Sequence, residues 1–210
     1  PERVSKDKVS QIRAKYGIGP DDKMILYLGR LTGVKGVDRL LMAMPHVFSQ
    51  CPKSKLVVVG KGELEGELVR LAETLGINNR VHFNLNMLPE EERIAHYAAC
   101  DMAVFPSLYE PFGIVALEAM AFKKPIVVGA RGVSGLKEIV IASGPDQCGY
   151  HINPYDPRDI AWGITSTLMD EKHLRSMGEK ARERVLSEFT WERVAGKIME
   201  VYAKVADGKR

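Results

Sequence analysis

Cysteine is scarce. Cys51, Cys100 and Cys148 are widely separated and odd in number, and no Cys-x-x-Cys pair offers a zinc or redox centre. Reduced, buried thiols in a cytoplasmic protein are therefore expected. No apolar run approaches the ~18 residues of a membrane helix and no signal-peptide pattern is present, so no membrane span is expected in this chain. Neither sign of charge dominates: 30 Lys and Arg against 27 Asp and Glu leave a formal +3, too little to argue for nucleic acid. The histidines, at 46, 82, 96, 151 and 173, have no ligand spacing, and no metal site is expected. Gly60-Lys61-Gly62 does not complete G-x-G-x-x-G, and G-x-x-x-x-G-K-[ST] is missing, which weakens dinucleotide and P-loop readings. Low-complexity tracts and short repeats are also missing.

What is present is enough chain for one sizeable core: 210 residues, 45% hydrophobic and 27% charged. A start at Pro1 rather than Met suggests an excised domain or a piece of a longer protein. Apolar runs of strand length alternate with amphipathic segments of helix length. Strands are expected at 24–29, 56–59, 81–85, 102–105, 126–128 and 150–152. Helices are expected at 5–16, 37–50 (with Pro45 as a possible kink), 63–75, 89–100, 136–140, 158–169, 174–188 and 191–205, besides one after Gly113. Buried strands alternating with helices indicate an α/β fold with a doubly wound parallel sheet, Rossmann-like, whose ligands bind beyond the carboxyl ends of the strands. The expected division is 1–20, a linker remnant and short helix; 21–170, a Rossmann-like ligand-binding domain; and 171–210, C-terminal helices that pack on it or on a domain outside this chain.

The most informative stretch is Ser107 to Phe122, SLYEPFGIVALEAMAF. Seven residues separate Glu110 from Glu118, and Pro-Phe-Gly should start a helix. That helix is apolar or small except at Glu118, so burial is expected and its carboxylate needs a partner. One reading is a salt bridge to a Lys or Arg elsewhere in the domain. The other starts from the free amides of Gly113, Ile114 and Val115, which suit a phosphate, with Glu110 beside them and Glu118 one turn below Ile114. Amides for phosphate beside carboxylates for hydroxyls describe a receptor for a sugar phosphate.

PSLYEPFGIVALEAMA resembles the E-x7-E signature of retaining GT-B glycosyltransferases, in particular family 4 (glycosyl transferases group 1). The resemblance covers nearly the whole chain but only the C-terminal, donor-binding half of such an enzyme. In the related starch and glycogen synthases of family 5 the second acid is usually not Glu, so Glu118 favours family 4. The resemblance implies that Arg30 and Lys35, in GRLTGVKG, lie on the donor diphosphate, where two cations would stabilise the charge of the leaving group. It implies that Glu110 holds hydroxyls of the transferred sugar and that Glu118 takes the ribose hydroxyls. Gly60 and the loop of Asn86 would lie near the nucleotide, with Asn86 standing where a glycine is more usual. Ser134 and Gly135 would present amides to the sugar.

The implied partners are a nucleoside-diphosphate sugar, which is the substrate, and an acceptor-binding N-terminal domain of the same protein. No cofactor is implied beyond that substrate, and the lack of Asp-x-Asp removes the main support for a metal-dependent GT-A reading. The rivals are a GT-B epimerase or phosphorylase, and a non-catalytic nucleotide-binding module.

Overall fold

The structure, a computed structural model, describes residues 4–206 and 208. The expectation placed on Pro1, together with the first residues of the 1–20 segment and the last of 171–210, lies outside them. Six strands form one parallel sheet: β1 (Lys23–Leu28), β2 (Ser54–Val59), β3 (Val81–Asn84), β4 (Met102–Phe105), β5 (Ile126–Gly129) and β6 (Gly149–Ile152). Their order is β3-β2-β1-β4-β5-β6. The strands end level: Leu28 pairs with Val59 and Val59 with Asn84, while Leu26 pairs with Ala103. The loops that follow therefore rise from one edge of the sheet.

The helices are α1 (Lys6–Lys15), α2 (Val37–Gln50), α3 (Glu65–Thr74), α4 (Glu90–Ala99), α5 (Ile114–Ala121), α6 (Leu136–Ile139), α7 (Pro157–Leu168), α8 (Glu171–Glu188) and α9 (Trp191–Ala206). Continuous apolar strands make sense because both faces of the sheet are covered. Met24, Leu26 and Leu28 of β1 join Ala103 and Phe105 of β4 in a core roofed by α1, α4, α5, α6 and α8. Ile25 and Tyr27 join Met102 and Val104 in the opposite core, under α2, α3 and α7. Each fully buried Leu, Ile or Val contributes about 1.5–3 kcal/mol; these residues make up about half of the first core, where small Ala residues are also frequent, and most of the second.

Helix starts follow local chemistry. Ser5, Asp156 and Asp170 cap α1, α7 and α8 by accepting from the amides of Lys8, Arg158 and His173. Pro89, counted within the helix expected at 89–100, stands just before α4 as an extended N-cap. α2 continues through Pro45. α1 is docked into the domain: Ile12 and Tyr16 lie in the core, and Arg13 donates to Ala99 O, Gly19 O, Asp22 O and Asp101 Oδ2. α8 buries Leu174, Met177, Ala181 and Val185, whereas α9 buries no residue.

Candidate functional site

Strand order reverses between β1 and β4, so the loops leaving these neighbouring strands part and open a crevice at the carboxyl edge of the sheet. A hollow of about 420 Å³ lies there, with Arg30 and Lys35 on the β1 side and Ser107, Glu110, Gly113, Ile114 and Val115 on the β4 side. A second hollow of about 360 Å³ is lined by Gly60, Lys61, Asn86, Met87 and Arg93, and shares Leu28, Gly29, Arg30 and Val115 with the first. The two form one groove across the end of β1.

Lys35 ends a 3-10 turn, Gly33–Lys35. Val34 O holds this turn to the β4 loop by accepting from the amide of Leu108 at 2.8 Å. Lys35 Nζ thereby reaches Glu110 Oε2 at 2.5 Å, and the two side chains are only 14% and 12% exposed. Ser107 Oγ donates to the same oxygen at 3.4 Å. Arg30 is exposed and has no ion-pair partner among the described residues. Its carbonyl accepts from Tyr27 Oη at 2.7 Å, and burial, then the charge of Glu110, raise the Tyr27 phenol well above its ordinary pKa.

α5 begins at Ile114 behind Gly113, whose φ of 102° is left-handed. A Cβ at Gly113 would stand 2.4 Å from Leu136 Cδ2, so both conformation and space demand glycine. The amides of Gly113, Ile114 and Val115 have no acceptor among the described residues, as expected of a helix start, and they border the larger hollow. The residues 130–135 buttress this turn from behind. Glu110 N donates to Val133 O, and Gly135 N donates to Glu110 O at 2.7 Å. The Gly135 amide is thus occupied by protein and is not offered to a sugar, a correction to the sequence reading. Ser134 Oγ is likewise engaged, donating to Gly129 O.

α5 also departs from the expected all-round burial. Ile114 is 64% exposed because it stands at the mouth of the groove. Glu118 is paired, as the simpler reading held: Arg93 donates to its Oε1 and Tyr97 Oη donates to its Oε2 at 3.0 Å. The pair is not sealed in the core, since the side chains of Arg93 and Glu118 are 31% and 26% exposed and Arg93 lines the second hollow. Burial works against the Arg93 charge, but the hydrogen bond and charge of Glu118 outweigh it, and the net effect raises its pKa. Burial and Glu118 push the Tyr97 phenol far upward. Arg93 and Tyr97 were not singled out from sequence. The usable signal was the demand of Glu118 for a partner, but nothing local pointed to α4.

Gly60 lacks a side chain for a reason internal to the fold, because a Cβ there would lie 1.8 Å from Gly29 O. Asn86 is exposed but oriented: its Nδ2 donates to Asn84 Oδ1, Asn84 Nδ2 donates to Tyr16 Oη, and Tyr16 Oη lies 2.8 Å from His96 Nε2. Among the described residues, no group of three or more His, Cys, Asp or Glu could hold a metal ion. Among the same residues, no helix is long and apolar enough to cross a membrane.

Residues 8–184 match the family model described as glycosyl transferases group 1. The chain belongs to this family. An uncharacterized glycosyltransferase of Methanocaldococcus jannaschii is 36% identical over 199 residues, 95% of this chain and 49% of the relative. The chain spans about half the length of the curated relatives it matches. The crystal structure of HepE of Anabaena in complex with UDP-glucose is similar with a TM-score of 0.78 and 25% identity, over 96% of this chain and 54% of that one. The C-terminal domain of LpcC, a group 1 protein of Francisella tularensis, shares the fold with a TM-score of 0.76 and 23% identity, over 89% of this chain and 95% of that one. The Rossmann-like sheet is thus that of a GT-B C-terminal domain, and its crevice is lined by all six residues expected at the β1 and α5 ends: Arg30, Lys35, Glu110, Gly113, Ile114 and Val115.

Proposed function

We propose that the chain is the donor-binding domain of a retaining, family 4 glycosyltransferase of hexosyltransferase type, acting on a nucleoside-diphosphate sugar. One observation carries this reading: two cations, one acid and three unpaired helix amides converge on a single hollow at the strand-order switch. The similar HepE structure, bound to UDP-glucose, supports a donor of this class. The pyrophosphate lies against the α5 amides, where the helix dipole favours negative charge. Arg30 closes over it, and Lys35 divides its charge between the pyrophosphate and Glu110. As the glycosidic bond breaks, negative charge grows on the leaving diphosphate, and cations fixed beforehand stabilise it without reorganising. Glu110 accepts from hydroxyls of the transferred sugar, Glu118 from those of the ribose, and the base sits toward Gly60 and Asn86.

The acceptor and further active-site groups belong to an N-terminal domain of the same protein. Trp191, Val194, Ile198, Tyr202 and Val205 recur on one stripe of α9 and are exposed, a face suited to that domain. The 210-residue chain then binds nucleoside diphosphates without efficient transfer.

The test is to supply the N-terminal half, assay transfer from nucleotide sugars and read the anomeric configuration of the product by NMR. Retention is expected, with Arg30→Ala lowering kcat on the order of 10²-fold or more. An inverted product, an epimer or a sugar phosphate would replace the reading with another, and robust transfer by the isolated chain would remove the need for the second domain.

A further inference from the structure

Glu118 is the acid assigned to ribose, yet both of its oxygens are already in use. Arg93 occupies Oε1 and Tyr97 occupies Oε2. An ionised carboxylate has about four acceptor sites, two on each oxygen. One protein donor per oxygen leaves one free site per oxygen. Two free sites side by side match two adjacent hydroxyls, and the donors that leave them free are held firmly. Tyr97 is fully buried, with its ring stacked on Phe122 at 6.3 Å. Arg93 projects from the same face of α4, one turn earlier, and reaches the groove beside Asn86 and Lys61.

We propose that Arg93 and Tyr97 are positioning residues for ribose recognition, holding the Glu118 carboxylate so that each oxygen keeps one acceptor site turned to a vicinal diol. This rests on the donor-binding reading above and adds to it the source of ribose selectivity. Arg93 acts through Glu118 and needs no contact with the nucleotide. Both donors keep their protons, as the upward pKa shifts of the guanidinium and phenol require, so the carboxylate is the acceptor in both bonds.

The experiment is calorimetric titration of the full 210-residue chain with UDP and GDP and with their 2′-deoxy counterparts. The unaltered chain should prefer the ribonucleotide by on the order of tenfold, the value of one hydroxyl donated to a charged acceptor. Arg93→Leu should bring that ratio close to one while keeping most of the affinity for the deoxy ligand. Tyr97→Phe, which keeps the stacked ring and hence the fold, should lower the ratio by a smaller factor, and Arg93→Lys should restore part of it. A role confined to structure weakens both ligands alike. An unchanged ratio in both Arg93→Leu and Tyr97→Phe would therefore overturn the proposal while leaving donor binding intact. A ratio of one in the unaltered chain would overturn the ribose role of Glu118 and this proposal with it. If neither diphosphate binds, the donor-binding reading itself fails.

Discussion

Replacing Lys35 by Met tests the geometry of the groove without any ligand. The ammonium and the Glu110 carboxylate meet at 2.5 Å with little solvent access, and among the described residues the only other side-chain donor to that carboxylate is Ser107 Oγ at 3.4 Å. Met fills most of the lysine volume, so the packing of the stem survives and the change isolates the charge. What remains is a nearly buried anion with one weak partner. Removing one member of a buried pair costs about 3–5 kcal/mol. The residual exposure of both groups places this pair at the lower end, about 3 kcal/mol. In a domain of this size each kcal/mol moves Tm by about 2–4 °C, so calorimetric or dichroic melting should show a loss of roughly 6–12 °C. Adding Glu110→Gln removes the orphaned charge and should recover more than half of that loss. A single variant melting within about 2 °C of the unaltered chain, or a double variant no more stable than the single one, would show that the two side chains do not depend on each other as described.

Three further outcomes follow from other parts of the fold. Burial lowers the pKa of His82, His96 and His151, so the unfolded chain binds more protons as pH falls below the ordinary histidine value. Stability present above about pH 6.5 should be lost progressively toward the depressed folded-state values, and melting at pH 7.5, 6.0 and 5.0 checks this; an unchanged Tm would contradict it. Gly113→Val combines a left-handed φ with a collision against Leu136 and should cost about 1–3 kcal/mol or more, read from urea midpoints, whereas Arg30→Ala should stay within about 0.5 kcal/mol. Ending the chain after Thr190 removes, among the described residues, only exposed ones, so the melting temperature should change little; a large drop would mean that α9 stabilises this domain directly.

The four inner strands were legible because they are buried on both faces and read as near-continuous apolar runs, whereas the edge strands β3 and β6, VHFN and GYHI, are only half-buried at their middle positions. All six were found within about two residues, and the crevice followed from strand alternation plus the glycine-rich turns. Helix starts were less exact: Asp156 and Asp170 cap α7 and α8, but the sequence reading began these helices at 158 and 174, and it placed Pro89 inside α4 instead of just before it. α1 read as a linker because its sequence is polar; its docking depends on Arg13, which joins nearby Gly19 and Asp22 to Ala99 and Asp101, more than 80 residues away. In the site, local spacing placed Glu110 and Glu118 relative to α5 but not their partners. Lys35 and Glu110 lie 75 residues apart, and Arg93 and Glu118 meet across two helices. The hydropathy of α5 also misled at Ile114, because a helix that opens onto a cleft can expose an apolar first turn.

Calorimetric titration of the chain with UDP, GDP and ADP, repeated with Glu118→Gln and Arg30→Ala, bears most directly on the assignment. One of the three diphosphates should bind, and each substitution should weaken it by roughly tenfold or more, the value of a single charge-assisted contact. No heat from any of the three, or an affinity untouched by both substitutions, would place nucleotide binding somewhere other than this groove.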